Sequence, residues 1–397
     1  MQKYLYEYKE ISSLNEKLIN HIKENKSLHK YFKEDWGKIK TRQYCGILNF
    51  EDNDYYVLPK IADEESKNLD IFIYMLMYVY DIKLSNEQIA SCENEKHTII
   101  EVLVQLFAQN LLSELKKGLY KEYITEQENL TTLKGKYLIN ENLKYNFTKN
   151  KIYCEYDEFS ENNTLNQFFL YAIKELQKYV KNKKILKQCE LIFDEVESFK
   201  MDIDRLNIYF NRINQRYKTS FEMALLLLQK TIPLFSKGKK SFAFLFDMNI
   251  LFEKFVGKII NEIEEDVFIP KKYKEFGSLK LKPDIIVNSK NLIIDCKYKR
   301  IDMQKIDRND KYQMYAYGNN FQGIKKTMLL YPKNLNKDIE LNESVVHNLG
   351  NNDKKVELQI KKIDLSFNGK YREYIEDIKK KMKKILEEKG WEYARLY

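Results

Sequence analysis

Residues 283–300 read PDIIVNSKNLIIDCKYKR. Apolar runs flank the polar segment Asn288–Asn291, so the stretch predicts two antiparallel strands, Asp284–Val287 and Leu292–Lys299. Side chains alternate along a strand, which puts Asp295, Lys297 and Lys299 on one side and Ile294, Cys296 and Tyr298 on the other. Pairing through the turn brings the carboxylate of Asp284 towards Asp295. Two convergent carboxylates without histidine or cysteine suit a hard, oxygen-seeking cation such as Mg²⁺, with Mn²⁺ as a substitute. Lys297 would then orient or deprotonate an attacking water and stabilise phosphoryl charge, and the set predicts phosphodiester hydrolysis. An Asp-x-Lys pair alone in an apolar strand reads as an exposed edge. The Pro-Asp before it and the elements around it tip the reading towards chemistry.

Those elements follow a definite order. A helix is expected over Met248–Ile263, strands near Val267–Ile269, Asp284–Val287 and Leu292–Lys299, and a helix over Asp310–Gly318. Strands Thr327–Tyr331 and Val356–Ile363 and a basic helix Tyr371–Lys389 complete a mixed sheet with helices on its faces. Glu253 sits at the border of the apolar face of its helix, where it is either a further acidic ligand or an ordinary edge charge. Gln313 and Tyr317, four apart, share a helical face and either hydrogen-bond the site or DNA backbone or form a half-buried surface.

Upstream, Gln43–Ile61 alternates around EDND and predicts a β-hairpin ended by Pro59. Leu69–Val79 and Thr98–Tyr120 read as packed helices, and Leu133–Ile139 and Lys151–Ser160 as strands. Further helices are expected over Asn163–Tyr179, Ile185–Phe199 and Phe221–Gln229. Residues 1–40 suggest two short helices, and Ser236–Ser241 a linker. The chain is thus expected to be α+β and multidomain: an N-terminal α/β region with a hairpin (1–160), a helical middle (161–240) and a C-terminal α/β domain (241–397).

Composition constrains function only loosely. Lys and Arg total 68 against 59 Asp and Glu, a net charge of +9 that permits a polyanionic partner without requiring one. The five cysteines are scattered without a CxxC pair and in odd number, which predicts reduced thiols in a cytoplasmic setting. The four histidines are equally dispersed and give no zinc pattern. The N-terminal MQKYLYEYKEISS lacks an apolar core segment, so no signal peptide is expected. The most apolar run, Ile71–Tyr80, is too short to span a bilayer.

The set Asp284, Asp295-x-Lys297 and Gln313-x-x-x-Tyr317 resembles the PD-(D/E)xK nuclease superfamily, in particular branches with a Gln-x-x-x-Tyr helix after the catalytic strand. The resemblance extends to Val57–Ile61 (VLPKI), Leu133–Lys136 (LKGK), Tyr156–Asn166 (YDEFSENNTLN), Arg216-Tyr217 and Phe246–Val256 (FDMNILFEKFV). Together these are similar to the McrC family, the nuclease subunits of McrBC-type restriction systems. The resemblance implies a type IV restriction endonuclease subunit whose C-terminal domain has the PD-(D/E)xK fold. Asp284, Asp295 and Glu253 would bind metal, Lys297 would be the catalytic lysine, and Gln313 and Tyr317 would contribute to the site. It also implies double-stranded DNA as substrate and an McrB-like AAA+ GTPase as partner, docked through the N-terminal region. The chain has no GxxxxGK[ST] loop, so no nucleotide is expected to bind it by that route. Basic runs at Lys271–Lys274, Lys297–Arg300 and Lys379–Lys384 are candidates to track phosphates, the last reading equally as a solvated helix face. A non-catalytic adaptor that activates an AAA+ motor, or a nuclease acting alone, are the competing expectations.

Overall fold

The computed structural model describes residues 4–12, 15–50, 53–61, 67–84, 98–147, 150–236, 239–301, 307–336, 346–350, 355–367 and 369–387. The expected turn residues 51–52, the linker residues 237–238 and the helix end at 388–389 lie outside them. Two compact units are formed, one from 1–96 and 233–397, the other from 97–232.

The first unit begins with β1 (Tyr4–Tyr6), α1 (Glu16–Glu24), β2 (Phe32–Asp35), β3 (Lys38–Thr41), β4 (Tyr44–Phe50), β5 (Asn53–Leu58) and α2 (Asn68–Val79). Strands β4 and β5 pair antiparallel as the expected hairpin, and β1 adds to β5 in parallel. Where two short helices were expected over residues 1–40, the described residues form one α-helix, a 3-10 turn at Lys26–Leu28 and, in addition, three short strands. The short, lysine-rich β2 and β3 carry too little apolar alternation to announce themselves.

The second unit contains α3 (Ile99–Leu115), β6 (Glu122–Leu130), β7 (Lys136–Tyr137), α4 (Ile139–Tyr145), β8 (Ile152–Ser160), α5 (Thr164–Leu176), α6 (Lys184–Ile192) and α7 (Lys218–Lys230). Helix α3 starts on a capping box, Thr98 accepting from the Glu101 amide while the Glu101 carboxylate accepts from the Thr98 amide. Strand β6 pairs along its length with β8. Its sequence, EYITEQENL, is polar on both faces and gives no hydrophobic period. The expected strand over Leu133–Ile139 shrinks to two residues, because the chain turns into α4 at Ile139.

The chain re-enters the first unit through β9 (Thr231–Ser236) and β10 (Lys239–Asp247), which runs directly into α8 (Met248–Ile263). Strand β10 pairs antiparallel with β4, giving a sheet ordered β1-β5-β4-β10-β9. The compact units therefore divide near 96 and 232, where the sequence suggested 160 and 240. The physical reason is this long-range pairing, in which Phe244 and Phe246 sit opposite Ile47 and Cys45.

The remaining elements are β11 (Val267–Phe268), β12 (Lys274–Phe276), β13 (Leu279–Leu281), β14 (Ile285–Val287), β15 (Leu292–Cys296), α9 (Arg308–Asn320), β16 (Lys326–Pro332), β17 (Val346–Leu349), β18 (Val356–Ile363) and α10 (Tyr371–Glu387). They build a mixed sheet ordered β11-β14-β15-β16-β18-β17, with β15, β16 and β18 mutually parallel and the other pairings antiparallel. Helix α8 covers the face carrying Ile285, where Gly257 lies over that side chain. Helix α9 covers the opposite face, its Met314 and Tyr317 packing with Ile286, Ile293, Leu329 and Leu358. The small hairpin β12–β13 is an addition that the sequence did not announce.

Gly318 sets how closely α9 approaches the sheet, since a Cβ there would drive into the Val356 side chain. Overpacking of this kind costs about 1–3 kcal/mol, against about 1 kcal/mol gained from alanine's helix propensity. Gly318→Ala is therefore expected to lower the denaturation midpoint, with a net loss on the order of 1 kcal/mol. Combining it with Val356→Ala should recover part of that loss; a midpoint raised by Gly318→Ala alone would contradict the close contact.

Candidate active site

The antiparallel register Ile285↔Ile294, Ile286↔Ile293 and Val287↔Leu292 carries Asp284 to the level of Asp295. Asp284 accepts a hydrogen bond from the Cys296 amide through Oδ2 at 2.7 Å. Its side chain is thereby fixed at the end of the strand pair. Asp295 is 2% exposed, and its Oδ2 lies 2.6 Å from Lys297 Nζ. Strand β15 ends at Cys296, three residues earlier than expected, but the Lys297 amide still donates to the Leu330 carbonyl at 2.9 Å. That bond keeps Lys297 on the same side as Asp295.

From Lys297 a directed chain of hydrogen bonds crosses onto α9. An ammonium can only donate, so Gln313 presents Oε1 to Lys297 Nζ at 2.9 Å and turns Nε2 to the Tyr317 hydroxyl at 2.7 Å. The Tyr317 hydroxyl then donates to the Lys282 carbonyl at 2.9 Å. The chain ends two residues before Asp284. Gln313 and Tyr317 thus fix the lysine and the segment leading into the first carboxylate at once.

The electrostatics follow from burial. Asp284 is pushed above the ordinary carboxylate range by desolvation and by the neighbouring Asp295 and Glu253, against the opposing Cys296 amide and Lys297. Asp295 is also raised, chiefly by burial, with Lys297 pulling the other way. Burial works against the charge on Lys297, but Asp295, Asp310 and Asp284 outweigh it, and the ammonium is held above its usual range. Glu253, on α8, reaches this field from the side, with Oε1 3.8 Å from Lys282 Nζ. All six residues singled out in the sequence are therefore linked to one site, Glu253 by field rather than by contact.

Asp310 was not singled out. It is buried at the start of α9, pairs with Lys299 Nζ at 2.7 Å, lies 3.8 Å from Lys297 Nζ and accepts from the Tyr331 hydroxyl at 3.3 Å. The spacing Asp310, Gln313, Tyr317 is that of one helical face and is the signal that could have revealed it.

Among the described residues, no group of three or more His, Cys, Asp or Glu side chains stands ready to hold a metal ion. The donor chemistry nevertheless fits a hard cation. Such an ion can be held by one or two carboxylates with water completing its shell. Two buried carboxylates, both raised chiefly by burial and Asp284 further by Asp295, are what a cation would relieve.

A family model described as McrBC 5-methylcytosine restriction system component matches residues 39–332. The chain belongs to this McrBC family. A search of curated proteins returned no match. Among solved structures, the chain is similar to one in a refined half-complex from the tetradecameric assembly of Thermococcus gammatolerans McrB AAA+ hexamers with bound McrC. The identity is 20%, over 96% of this chain and 99% of that one, with a TM-score of 0.59. It is also similar, at 23% identity over 65% of this chain and 86% of that one, to a chain in the cryo-EM structure of the Thermococcus gammatolerans McrBC complex, with a TM-score of 0.45. The first likeness establishes a shared fold.

Several segments that resemble the McrBC family in sequence have structural work. Arg216 and Tyr217 both donate to the Gly118 carbonyl, at 2.6 and 2.8 Å. Asn163 and Asn166 hold the Tyr120 carbonyl, at 3.1 and 2.7 Å. In VLPKI, the Lys60 amide donates to Glu7 Oε1 at 2.7 Å, and the same oxygen accepts from the Tyr298 hydroxyl at 2.6 Å. Tyr298 follows Lys297 directly, so the N-terminal region grips the far face of the chain just past β15. The four described cysteines, 45, 154, 189 and 296, are all free thiols. No helix among the described residues is long and apolar enough to cross a membrane.

Burial pushes Glu7 up to about 7 from its ordinary 4.5, with the Tyr298 and Lys60 hydrogen bonds opposing. A folded-state value above the unfolded one means that Glu7 favours folding fully below about pH 4.5 and loses that contribution as pH rises through about 7. The loss amounts to on the order of 3 kcal/mol. Glu7→Gln, which keeps an acceptor for both donors, should be more stable than the parent at pH 8 and should show a smaller stability difference between pH 5 and pH 8 in urea titrations. An unchanged pH dependence would contradict a protonated, buried Glu7.

Proposed function

We propose that the chain is the nuclease subunit of a modification-dependent restriction system, hydrolysing phosphodiester bonds of double-stranded DNA with Mg²⁺ in a PD-(D/E)xK domain. It would act with an McrB-like AAA+ GTPase, as in the Thermococcus gammatolerans assembly of McrB hexamers with bound McrC. The observation that carries this reading is the convergence of Asp284, Asp295 and Lys297 on one end of β14–β15, with Lys297 tied through Gln313 to Tyr317.

In this reading Asp284 and Asp295 would hold the cation, with Glu253 in reach through water. The bound ion would supply Lewis-acid polarisation of the phosphoryl oxygens and a more acidic water. Lys297, kept as an ammonium by its carboxylate neighbours, donates to the attacking water or to a phosphoryl oxygen. A group so held is not suited to take a proton, which favours orientation over deprotonation among its two expected roles. Gln313 fixes the direction of the lysine, and Asp310 holds the neighbouring Lys299. The water oxygen bonds to phosphorus and gives up its proton to solvent, the bond to the leaving sugar oxygen breaks, and that oxygen takes a proton from solvent.

Asp295→Asn and Lys297→Met preserve size and should keep the fold. Assayed with partner, GTP and Mg²⁺, each is expected to lower duplex cleavage by at least about 100-fold, while stimulation of the partner's GTP hydrolysis persists. Either variant cutting at the parental rate would sink the assignment. Stimulation without cleavage by the parent chain would instead support an adaptor, and full cleavage without partner or GTP a nuclease acting alone.

A further inference from the structure

The β12–β13 hairpin has no part in the chemistry described so far, yet it is rooted in the candidate site. Its sequence, KKYKEFGSLKLK over residues 271–282, carries Lys271, Lys272, Lys274, Lys280 and Lys282 against a single acid, Glu275. The strands pair with Lys274 opposite Leu281 and Phe276 opposite Leu279. An isolated two-stranded ribbon is marginal on its own. Here Phe276 anchors it edge-on against Phe321, just past α9, with ring centroids 5.1 Å apart, and Lys274 lies over both rings.

The C-terminal root of the hairpin is Lys282, whose carbonyl ends the hydrogen-bond chain from Lys297. The ribbon therefore rises from the rim of the carboxylate pair. Its outer surface is open: Tyr273 is 66% exposed and Leu279 48%. The one internal ion pair, Lys280 with Glu275 at 3.1 Å, is exposed at both ends and is worth little. Among the described residues, Lys271 and Lys272 have no ion-pair partner.

The other lysine-rich element, α10, is different. There Lys379 pairs with Glu262 and Glu376, and Lys381 with Asp377. Acids offset much of that helix's charge, and none of these contacts leads to the candidate site.

We infer that the β12–β13 hairpin grips duplex DNA at the candidate site, with Lys271, Lys272 and Lys274 on phosphates flanking the scissile bond and Tyr273 against the sugar edge. This rests on the nuclease reading above. A cluster of unneutralised ammonium groups matches the closely spaced charge of a duplex, and each phosphate contact adds about 0.9 to the salt slope of binding. The hairpin supplies grip and register, not sequence choice, because phosphate contacts read no base.

The test uses the full chain and a fluorescently labelled DNA duplex without divalent metal, titrated by anisotropy over a salt series. Lys271→Ala/Lys272→Ala, which leaves Lys274 on its rings, should reduce the slope of log affinity against log salt by about 2, weaken binding at least about tenfold at low salt, and leave the thermal midpoint unchanged. Lys383→Ala/Lys384→Ala on α10 removes equal charge and should have the smaller effect. Equal losses from the two variants, unaltered binding by the hairpin variant, or no duplex binding by the parent chain at low salt would each overturn the inference. With Mg²⁺ and partner, the hairpin variant should raise KM and spare kcat. Asp295→Asn separates the two readings: if it still cuts, the nuclease reading fails whatever the hairpin does, and if it is dead while the hairpin variant binds normally, the hairpin inference fails alone.

Discussion

The rest of the candidate site depends on the register of two short strands. Pairing Ile285 with Ile294 brings Asp284 level with Asp295, and the Asp284–Cys296 hydrogen bond closes the pair at its end. A slip of one residue would turn Asp295 and Lys297 to the opposite face, towards α8, and bring Cys296 and Tyr298 in their place. Both faces of this sheet are covered and β14 and β15 are almost wholly apolar between the charged positions, so burial holds the register. The ion pair between Asp295 and Lys297 is costly to bury. Here the carboxylate is almost wholly enclosed and the ammonium largely so.

Around this register the chain adds supports from distant sequence. Helix α9 offers Asp310, Gln313 and Tyr317 from one face, so Lys297 is held between two carboxylates and an amide. On the other face Tyr298 is clasped by Glu7, nearly three hundred residues earlier in the chain. Strand β10 pairs with β4 and continues without interruption into α8, which carries Glu253. The N-terminal sheet is therefore built into the same unit as the carboxylates. The VLPKI segment takes part in this support: the Lys60 amide holds Glu7, and Glu7 holds Tyr298.

What could be read in the sequence was what local pattern determines. The hairpin at 43–61, the helices with strong apolar stripes and the β14–β15 pair all announce themselves by periodicity, and Asp-x-Lys with Gln-x-x-x-Tyr names residues that the structure brings together. What could not be read depends on distance along the chain or on weak patterning. Strand β6 is polar on both faces, and β12–β13 is a ribbon of lysines stabilised by one phenylalanine. Asp310 stands at a helix start, and its contacts with Lys299 and Tyr331 have no local signal. Nothing near Glu7 in sequence shows that Tyr298 and Lys60 will bury it. The split at 96 and 232 follows from β10 returning to β4, a pairing that no local window contains.

On the proposed function, Asp284 and Asp295 form a cation site from which Lys297 can be displaced. An anomalous difference map from crystals of the chain soaked in Mn²⁺ tests it most directly. The expected result is a peak within ligating reach of both carboxylates, with the Lys297 ammonium moved away from Asp295 Oδ2 and still bonded to Gln313. A saturating soak that leaves the Asp295–Lys297 pair intact, with no peak between the two carboxylates, would contradict it.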